Sequence, residues 1–329
     1  NLAKNKIKIT HYGVREKEYI LDNVNYRKID NILSIEEDYE FIIFTALAND
    51  LSYKMKEKFK KTKFVLWTHG NRLNSNEINN IDHLFNNIIF VSDYARKKNI
   101  DLFDNENKLI TIKNFLVFDD DMINKYYDLD LFNLKDNNII SYIGNVSKGL
   151  YNLNYIIPNL RKHIKKFKVQ IFSEPHFYLP AKSNTVSEDK ILLNISNFDE
   201  VIFFKKTGKE EMCNLLEKSN IFISPNTFNE SFCLSLIEAM FMELKCVTTN
   251  RSAIPETANK YAVYTPTLNP TDDNKQTEIN LDQFIENIYI ANENYFKHEK
   301  EIKEQKQYVF NKYHPKKILK KWLDFFTNY

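Results

Sequence analysis

The chain has 329 residues, which is enough for two domains of ordinary size. Lys and Arg total 46 against 44 Asp and Glu, and this near balance argues against a dedicated nucleic-acid-binding protein. The three cysteines have neither an even count nor metal-ligand spacing, which is typical of a reducing compartment. No apolar run reaches the roughly 18 residues of a membrane span, and no signal peptide is visible. We therefore expect a cytoplasmic protein.

The first third of the chain predicts a parallel sheet. Helical stretches around 51–61 and 93–99 separate short apolar runs, an alternation typical of strands with helices on both faces of a sheet. The runs predicted as buried strands are 41–47, 63–70, 86–92 and 108–114. We assign residues 1–122 to an N-terminal domain. The acidic, aperiodic stretch 119–138 that follows predicts a linker, placed at 123–137.

A second α/β set follows the linker and predicts a second domain over residues 138–300. Its predicted strands are 138–144, 168–173, 201–206, 221–225 and 245–249. A helix over about 149–165 follows the first strand, and 174–190 reads as a long loop. Thr207 and Glu210 have capping-box spacing, which predicts a helix start there. From Leu281 the chain is predicted to be helical almost to its end, with Pro315 opening the last helix and residues 301–329 crossing back to the first domain.

Residues 221–256 carry the most chemical information. They predict strand, loop, helix, strand and a short Pro-led helix, with Glu230 just before the first helix and Glu238 deep within it. Eight helical residues rise about 12 Å, comparable to the distance from ribose to sugar in an extended nucleotide-sugar. The helix start offers free N–H groups and a positive dipole end, which suit a pyrophosphate. The segment therefore predicts a nucleotide-diphosphate-sugar site.

Two further positions suit such a site. His69 follows an apolar strand and precedes a glycine, which places it at the carboxyl end of that strand. Lys148 lies between a strand and a helix, beside Gly149, where an anion site is favoured. Asp128 and Asp130 spell D-x-D, but they fall in the acidic stretch rather than at a strand end. We therefore expect no required metal.

At this level of detail the chain resembles the family-four retaining glycosyltransferases of the GT-B fold. The resemblance rests on NESFCLSLIEAMFMELKCVTT with its E-x7-E pair, and on the AIPE tail ending at Glu256. It spans roughly residues 63–258, in the family's order. Supporting matches are WTHG (67–70), FVSDYARK (90–97), TIKN (111–114), YIGNVSKGL (142–150) and EEMCNLLEKSNIFISP (210–225).

The resemblance implies an α/β protein with two Rossmann-like doubly wound domains facing a cleft, the N-terminal one short and on the acceptor side. Glu230 would face the donor sugar's hydroxyls, and Glu238 would hold the ribose hydroxyls. Lys148 would neutralise the departing diphosphate, while His69 would project toward the sugar and acceptor. The remaining donor-binding positions, the first three through backbone amides at the helix start, are Phe232, Cys233, Leu234, Gly144 and Asn145.

The implied activity is transfer of a sugar from a nucleotide-diphosphate donor to an acceptor hydroxyl with retained configuration, without metal or cofactor. The acceptor would be a carbohydrate or glycolipid in bacterial surface polysaccharide or glycolipid synthesis. Basic stretches at 56–63 and 314–326 could contact the inner face of a membrane, although packing on the first domain is favoured for the second.

Two alternatives stay open. One is a sugar-nucleotide epimerase of the same architecture. The other is a catalytically weak or inactive binding or assembly subunit, because the family's arginine before Lys148 and its glycine-rich first loop are not evident.

Overall fold

The computed structural model describes residues 7–13, 17–21, 23–45, 50–73, 81–173, 185–204, 207–268 and 278–328. Contacts divide the chain into two compact units. Unit 1 comprises Asn1–Asn114 and Pro315–Tyr329, and unit 2 comprises Phe115–His314. The predicted domain boundaries stay predictions. No helix in the described ranges is both long and apolar enough to cross a bilayer.

Unit 1 contains two sheets. The small sheet has the order β1-β3-β2 and was not predicted; β1 and β3 are parallel and β2 is antiparallel to β3. The larger sheet is parallel, has the order β4-β5-β6-β7, and confirms the four predicted strands. In chain order the elements are β1 (Ile9–Gly13), β2 (Tyr19–Leu21), β3 (Val24–Lys28), β4 (Phe41–Phe44), α1 (Asp50–Lys58), β5 (Lys63–Thr68), β6 (Asn87–Phe90), α2 (Asp93–Asn99) and β7 (Leu109–Thr111).

Unit 2 is built on one parallel sheet of six strands in the order β10-β9-β8-β11-β12-β13. Its elements are α3 (Asp120–Asp128), β8 (Ile139–Ile143), α4 (Leu153–Leu160), β9 (Lys168–Phe172), α5 (Thr185–Ser196), β10 (Val201–Phe204), α6 (Lys209–Leu216), β11 (Ile221–Ser224), α7 (Leu234–Phe241), β12 (Lys245–Thr249), α8 (Ile254–Ala258), β13 (Ala262–Thr265), α9 (Leu281–Asn294) and α10 (Glu299–Tyr313). The chain runs outward from β8 in one direction and then from β11 in the other. A doubly wound sheet binds its ligands at the carboxyl ends of the strands where the order reverses, which here is between β8 and β11.

Two segments differ from their predictions in secondary structure. The stretch predicted as an aperiodic linker contains α3, whose start is capped by the Asp119 carboxylate accepting the Met122 N–H at 2.8 Å. Its apolar face consists of Ile123 and Tyr126, which are both buried. They lie three residues apart, on one face of the helix, and acidic residues precede and follow them in the sequence. The loop predicted over 174–190 is shorter than expected because α5 begins at Thr185; residues 174–184 lie outside the described residues.

Two helix starts also differ from their predictions. The capping-box interpretation is wrong, because Gly208 rather than Thr207 occupies the N-cap of α6. The helix predicted from 149 begins at Leu153, because Gly149 has a left-handed backbone and the next three residues, Leu150–Asn152, form a 3-10 turn. Strand β13 was not predicted at all.

The last helix, α11 (Pro315–Thr327), packs against the larger sheet of unit 1. Its residues Ile318, Trp322 and Phe325 are buried in a cluster with strand side chains that include Val65 and Ile89. The apolar stripe of this helix is therefore covered within unit 1. Its exposed face carries Lys316, Lys317, Lys320 and Lys321.

Buried polar side chains hold the carboxyl end of α7. Lys135 donates from Nζ to the carbonyl oxygens of Leu216 at 2.8 Å and Met242 at 2.7 Å. Gln305 of α10 donates to the carbonyl oxygens of Met240 and Leu244 at 3.1 and 2.9 Å. Carbonyls at a helix end have no partner within the helix, so these bonds satisfy them away from water. They fix the position of the helix that carries Glu238.

Lys135 gives the fold a measurable pH dependence. Burial lowers the pKa of Lys135 to about 7 from an ordinary 10.5. Below about pH 7 the protein must keep this buried lysine protonated, which costs stability. Between about pH 7 and 10.5 the unfolded chain binds a proton that the folded chain lacks, so this cost is relieved as pH rises.

We therefore expect the unfolding free energy of the native chain, relative to Lys135→Met, to increase by about 1 kcal/mol per pH unit in that window. Urea denaturation of both chains from about pH 7 to about pH 9 measures this difference. Every other titrating group is present in both chains, so its contribution cancels in the difference between their unfolding free energies. A difference that is independent of pH would contradict the assignment.

Candidate active site

The loops that follow β8 and β11 lie side by side at the point where the strand order reverses. The two strands are paired in register, Ile140 with Ile221 and Ser141 with Phe222. The loop after β8 carries Lys148, and the loop after β11 carries Glu230. Two predicted site residues are therefore brought together by neighbouring strands.

Gly149 allows the two loops to approach each other. Its φ is +92°, and a Cβ atom at this position would lie 2.0 Å from the carbonyl oxygen of Pro225. Asn152 donates from Nδ2 to the same oxygen at 3.1 Å, and the Tyr151 and Thr227 hydroxyls are 3.0 Å apart. Only glycine fits such a contact with this backbone conformation. The position of Lys148 thus depends on the residue that follows it.

Lys148 and Glu230 form an ion pair with Nζ and Oε1 2.8 Å apart. The Glu230 side chain is only 6% exposed, whereas that of Lys148 is 34% exposed. The Asn226 amide donates to the same carboxylate oxygen at 3.4 Å. Burial raises the pKa of Glu230, and the Lys148 ammonium opposes that rise. The result is a buried carboxylate with a partly exposed cation above it.

The Glu230 loop is also attached to the end of β12 and the segment after it. The Glu230 carbonyl accepts a hydrogen bond from the Ala253 N–H at 3.1 Å. Nearby, Ser252 donates to the Asn229 side chain at 2.8 Å, and Thr249 donates to the Asn226 carbonyl at 2.9 Å. The carboxylate therefore projects from a loop that is fixed on both sides.

The start of α7 is suited to an anion. Cys233 is its N-cap, and the Cys233 side chain makes no capping hydrogen bond. Phe232 and Cys233 are buried and Leu234 is half-buried. Burial raises the pKa of the Cys233 thiol to about 11, so it is neutral at ordinary pH. Uncapped N–H groups together with the helix dipole favour a phosphate or carboxylate group at this end.

Glu238 lies about one turn into α7 and is 2% exposed. The Lys209 ammonium, at the start of α6, is 2.5 Å from its Oε1 atom. Burial raises the pKa of Glu238, and Lys209 opposes that rise. Sequence analysis missed Lys209, although the need of a buried carboxylate for a cationic partner was a signal that could have led to it.

Gly144 and Asn145 form the turn after β8 through their backbones. The Gly144 N–H donates to the Phe172 carbonyl at 3.1 Å. The Asn145 carbonyl accepts from the Tyr142 hydroxyl at 2.7 Å and from the Lys148 N–H at 3.0 Å. These contacts give both residues a role in shaping the Lys148 turn. Their contact with a donor stays a prediction.

The third predicted catalytic residue lies in unit 1. His69 follows β5 directly, as predicted, and is exposed. Its ring centroid is 4.8 Å from that of Trp67, and loss of water on the covered side lowers the pKa of His69. The imidazole is therefore neutral at pH 7. Arg251 or Lys205 could substitute for the arginine that the family has before the lysine; Arg251 is 4% exposed, and Lys205 lies outside the described residues.

A known sequence family matches the part of the chain that carries both glutamates and Lys148. Residues 137–286, which include both glutamates and Lys148, match the sequence family Glycosyl transferases group 1. No curated protein matches the chain in sequence.

Across the described residues no group of three or more His, Cys, Asp or Glu side chains could hold a metal ion.

Several solved structures share the fold. A glycosyltransferase from Rickettsia africae is 16% identical, with a TM-score of 0.64, covering 88% of this chain and 76% of that one. Anabaena HepE in complex with UDP-glucose is 12% identical, with a TM-score of 0.66 and coverage of 88% and 79%. Sucrose-phosphate synthase from Thermosynechococcus elongatus is 12% identical, with a TM-score of 0.68 and coverage of 99% and 90%. The prediction of a GT-B α/β fold with two Rossmann-like domains is confirmed.

We expect Gly149→Ala to lower the unfolding free energy by about 2 kcal/mol or more, because the new Cβ meets backbone and requires a left-handed φ. Gly208→Ala is the matched control, since a Cβ there meets nothing within 4 Å. It should cost less than about 1 kcal/mol. Urea denaturation of the two variants measures both changes. Equal losses in the two variants would contradict the role given to Gly149.

Proposed function

We propose that this chain is a retaining glycosyltransferase of the family-four type, which moves a sugar from a nucleotide diphosphate to an acceptor hydroxyl. The observation that carries the proposal is the Lys148–Glu230 pair beside the uncapped start of α7. The matched family and the UDP-glucose in the HepE structure support it. Glu238, eight residues further along, supplies a second carboxylate for the ribose.

The leaving diphosphate requires positive charge on its oxygens as the glycosidic bond breaks. Lys148 supplies an ammonium that is already at the surface, and the N–H groups at the start of α7 supply oriented dipoles. Because the Lys148 ammonium is paired with Glu230 in this structure, it would have to turn toward the phosphate when the donor binds. Glu230 would then accept hydrogen bonds from the sugar hydroxyls near the reacting carbon. We propose that His69, in its neutral form, faces the sugar and acceptor.

With no carboxylate assigned as a covalent nucleophile, we propose attack from the face that the leaving group departs from. A diphosphate oxygen would then take the proton of the acceptor hydroxyl. Lys148 and the helix dipole supply the charge that a metal provides in other enzymes, so we propose a reaction without metal or cofactor. Positioning of both substrates would supply the remaining part of the rate acceleration.

The acceptor is proposed to be a carbohydrate or glycolipid of the bacterial surface. An acceptor held in a lipid surface would suit the exposed lysines of α11, whose apolar face is already covered. Peripheral contact with the inner face of the membrane would then rest on charge rather than on insertion. Reaction in the cytoplasm is part of this proposal.

A catalytically weak binding subunit is the second candidate. The turn between Gly144 and Gly149 offers Lys148 as its single cation, where the family has an additional arginine. This candidate predicts nucleotide binding without turnover. An epimerase would form a new nucleotide-sugar in the absence of any acceptor.

We expect one donor among UDP-, GDP-, dTDP- and ADP-sugars to be consumed, with release of its nucleotide. Glu230→Gln should lower that consumption by about 100-fold or more, because the carboxylate loses its charge next to the reacting sugar. Glu211→Gln, an exposed glutamate of α6, is the matched control and should leave consumption unchanged. Chromatography of released nucleotide, with and without lipid-linked and free saccharides, is the measurement.

Unfolding midpoints of both variants separate lost chemistry from lost folding. Binding of a nucleotide without turnover under any condition would favour the inactive subunit. Failure of the native chain to bind any nucleotide would contradict the proposal.

A further inference from the structure

Each glutamate of the E-x7-E pair is matched by a lysine from another element of unit 2. Lys148 belongs to the turn after β8, and Lys209 is the first residue of α6. The first pair has an evident use in holding a diphosphate. The second pair would take no part in breaking the glycosidic bond, because Glu238 is proposed to hold the ribose of the donor, and no use has yet been given to Lys209.

The geometry of the second pair is that of a fixed carboxylate with a cation on its solvent side. The Glu238 side chain is 2% exposed and that of Lys209 is 44% exposed, with Nζ 2.5 Å from Oε1. Only one carboxylate oxygen takes part in this contact, so Oε2 remains to accept from a ligand. Burial raises the pKa of the Cys213 thiol of α6, and the nearby Glu238 carboxylate raises it further.

A carboxylate can bind the two vicinal hydroxyls of a ribose only when it is ionised and correctly turned. Hydrogen bonds to an ionised acceptor are roughly twice as strong as those to a neutral one. A carboxylate buried without a partner instead takes up a proton or moves. The lysine that prevents both is Lys209.

We propose that Lys209 is a positioning residue that holds Glu238 in the orientation that binds the ribose 2′- and 3′-hydroxyls, and so sets the preference for ribonucleotides over 2′-deoxyribonucleotides. This inference rests on the proposed function. Lys209 acts through Glu238 and need not touch the ligand. Its effect is therefore confined to the ribose.

The alternative is that Lys209 only ties the start of α6 to α7. A tie of that kind would affect the stability of the protein and the binding of every nucleotide alike. The ratio of ribonucleotide to deoxyribonucleotide affinity distinguishes the two, because a purely structural role leaves that ratio unchanged.

The test is titration calorimetry with UDP, GDP and ADP and with the 2′-deoxy form of each. The proteins are the native chain, Lys209→Met, Lys209→Arg and the control Lys218→Met, an exposed lysine just after α6. We expect the native chain to bind one ribonucleotide about tenfold more tightly than its deoxy form. Lys209→Met should weaken the ribonucleotide about tenfold and the deoxy form much less, bringing the ratio close to one. Lys209→Arg should keep most of the preference, and Lys218→Met all of it.

Equal weakening of both forms by Lys209→Met, or no weakening, would overturn the inference and leave the proposed function intact. A lower unfolding midpoint in Lys209→Met, with an unchanged ratio of ribonucleotide to deoxyribonucleotide affinity, would show that Lys209 only stabilises the packing of α6 on α7 and would likewise overturn the inference. Binding of dTDP but of none of the six nucleotides would overturn the inference and leave the proposed function intact. If the native chain binds neither dTDP nor any of the six, the proposed function itself fails and this inference with it.

Discussion

The ion pair between Lys148 and Glu230 is the interaction on which the rest of the candidate site depends. It joins the loops after two neighbouring strands, β8 and β11, at the point where the sheet reverses its order. A carboxylate as buried as that of Glu230 requires a cation, and the cation can reach it only because Gly149 lets one loop lie against the other. The chemistry proposed for the site uses the two groups of this pair, a partly exposed ammonium and a buried carboxylate.

The two ends of α7 differ in whether side chains satisfy their terminal backbone groups. At the carboxyl end, Lys135 and Gln305 together donate to the carbonyl oxygens of Met240, Met242 and Leu244 from inside unit 2. At the amino end the side chain of the N-cap residue, Cys233, makes no capping hydrogen bond. An uncapped start costs stability unless water or a ligand takes its N–H groups. A helix anchored firmly at one end and open at the other is a rigid support for an anion.

Much of this arrangement could be predicted from the sequence because it is local. The apolar runs predicted strands β4 to β12, and the string around Glu230 and Glu238 placed the first glutamate just before one helix and the second inside it. The need of Glu238 for a cationic partner could be predicted, but the identity of that partner was not evident, because Lys209 lies 29 residues away and meets Glu238 only after α6 and α7 pack. Helix α3 was missed since its two buried side chains stand among acidic residues that mask their spacing. The cap of α6 was misassigned because spacing alone does not decide which residue takes the extended conformation.

The central claim is that Lys148 at the reversal point binds the diphosphate of a nucleotide. The most direct measurement compares the affinities of a nucleoside diphosphate and of the corresponding nucleoside for the native chain and for Lys148→Met by titration calorimetry. Loss of a charge-assisted contact predicts that the variant binds the diphosphate about tenfold or more weakly, while the nucleoside is bound with nearly the same affinity. Equal binding of the diphosphate by both proteins, with the variant fully folded, would contradict the account.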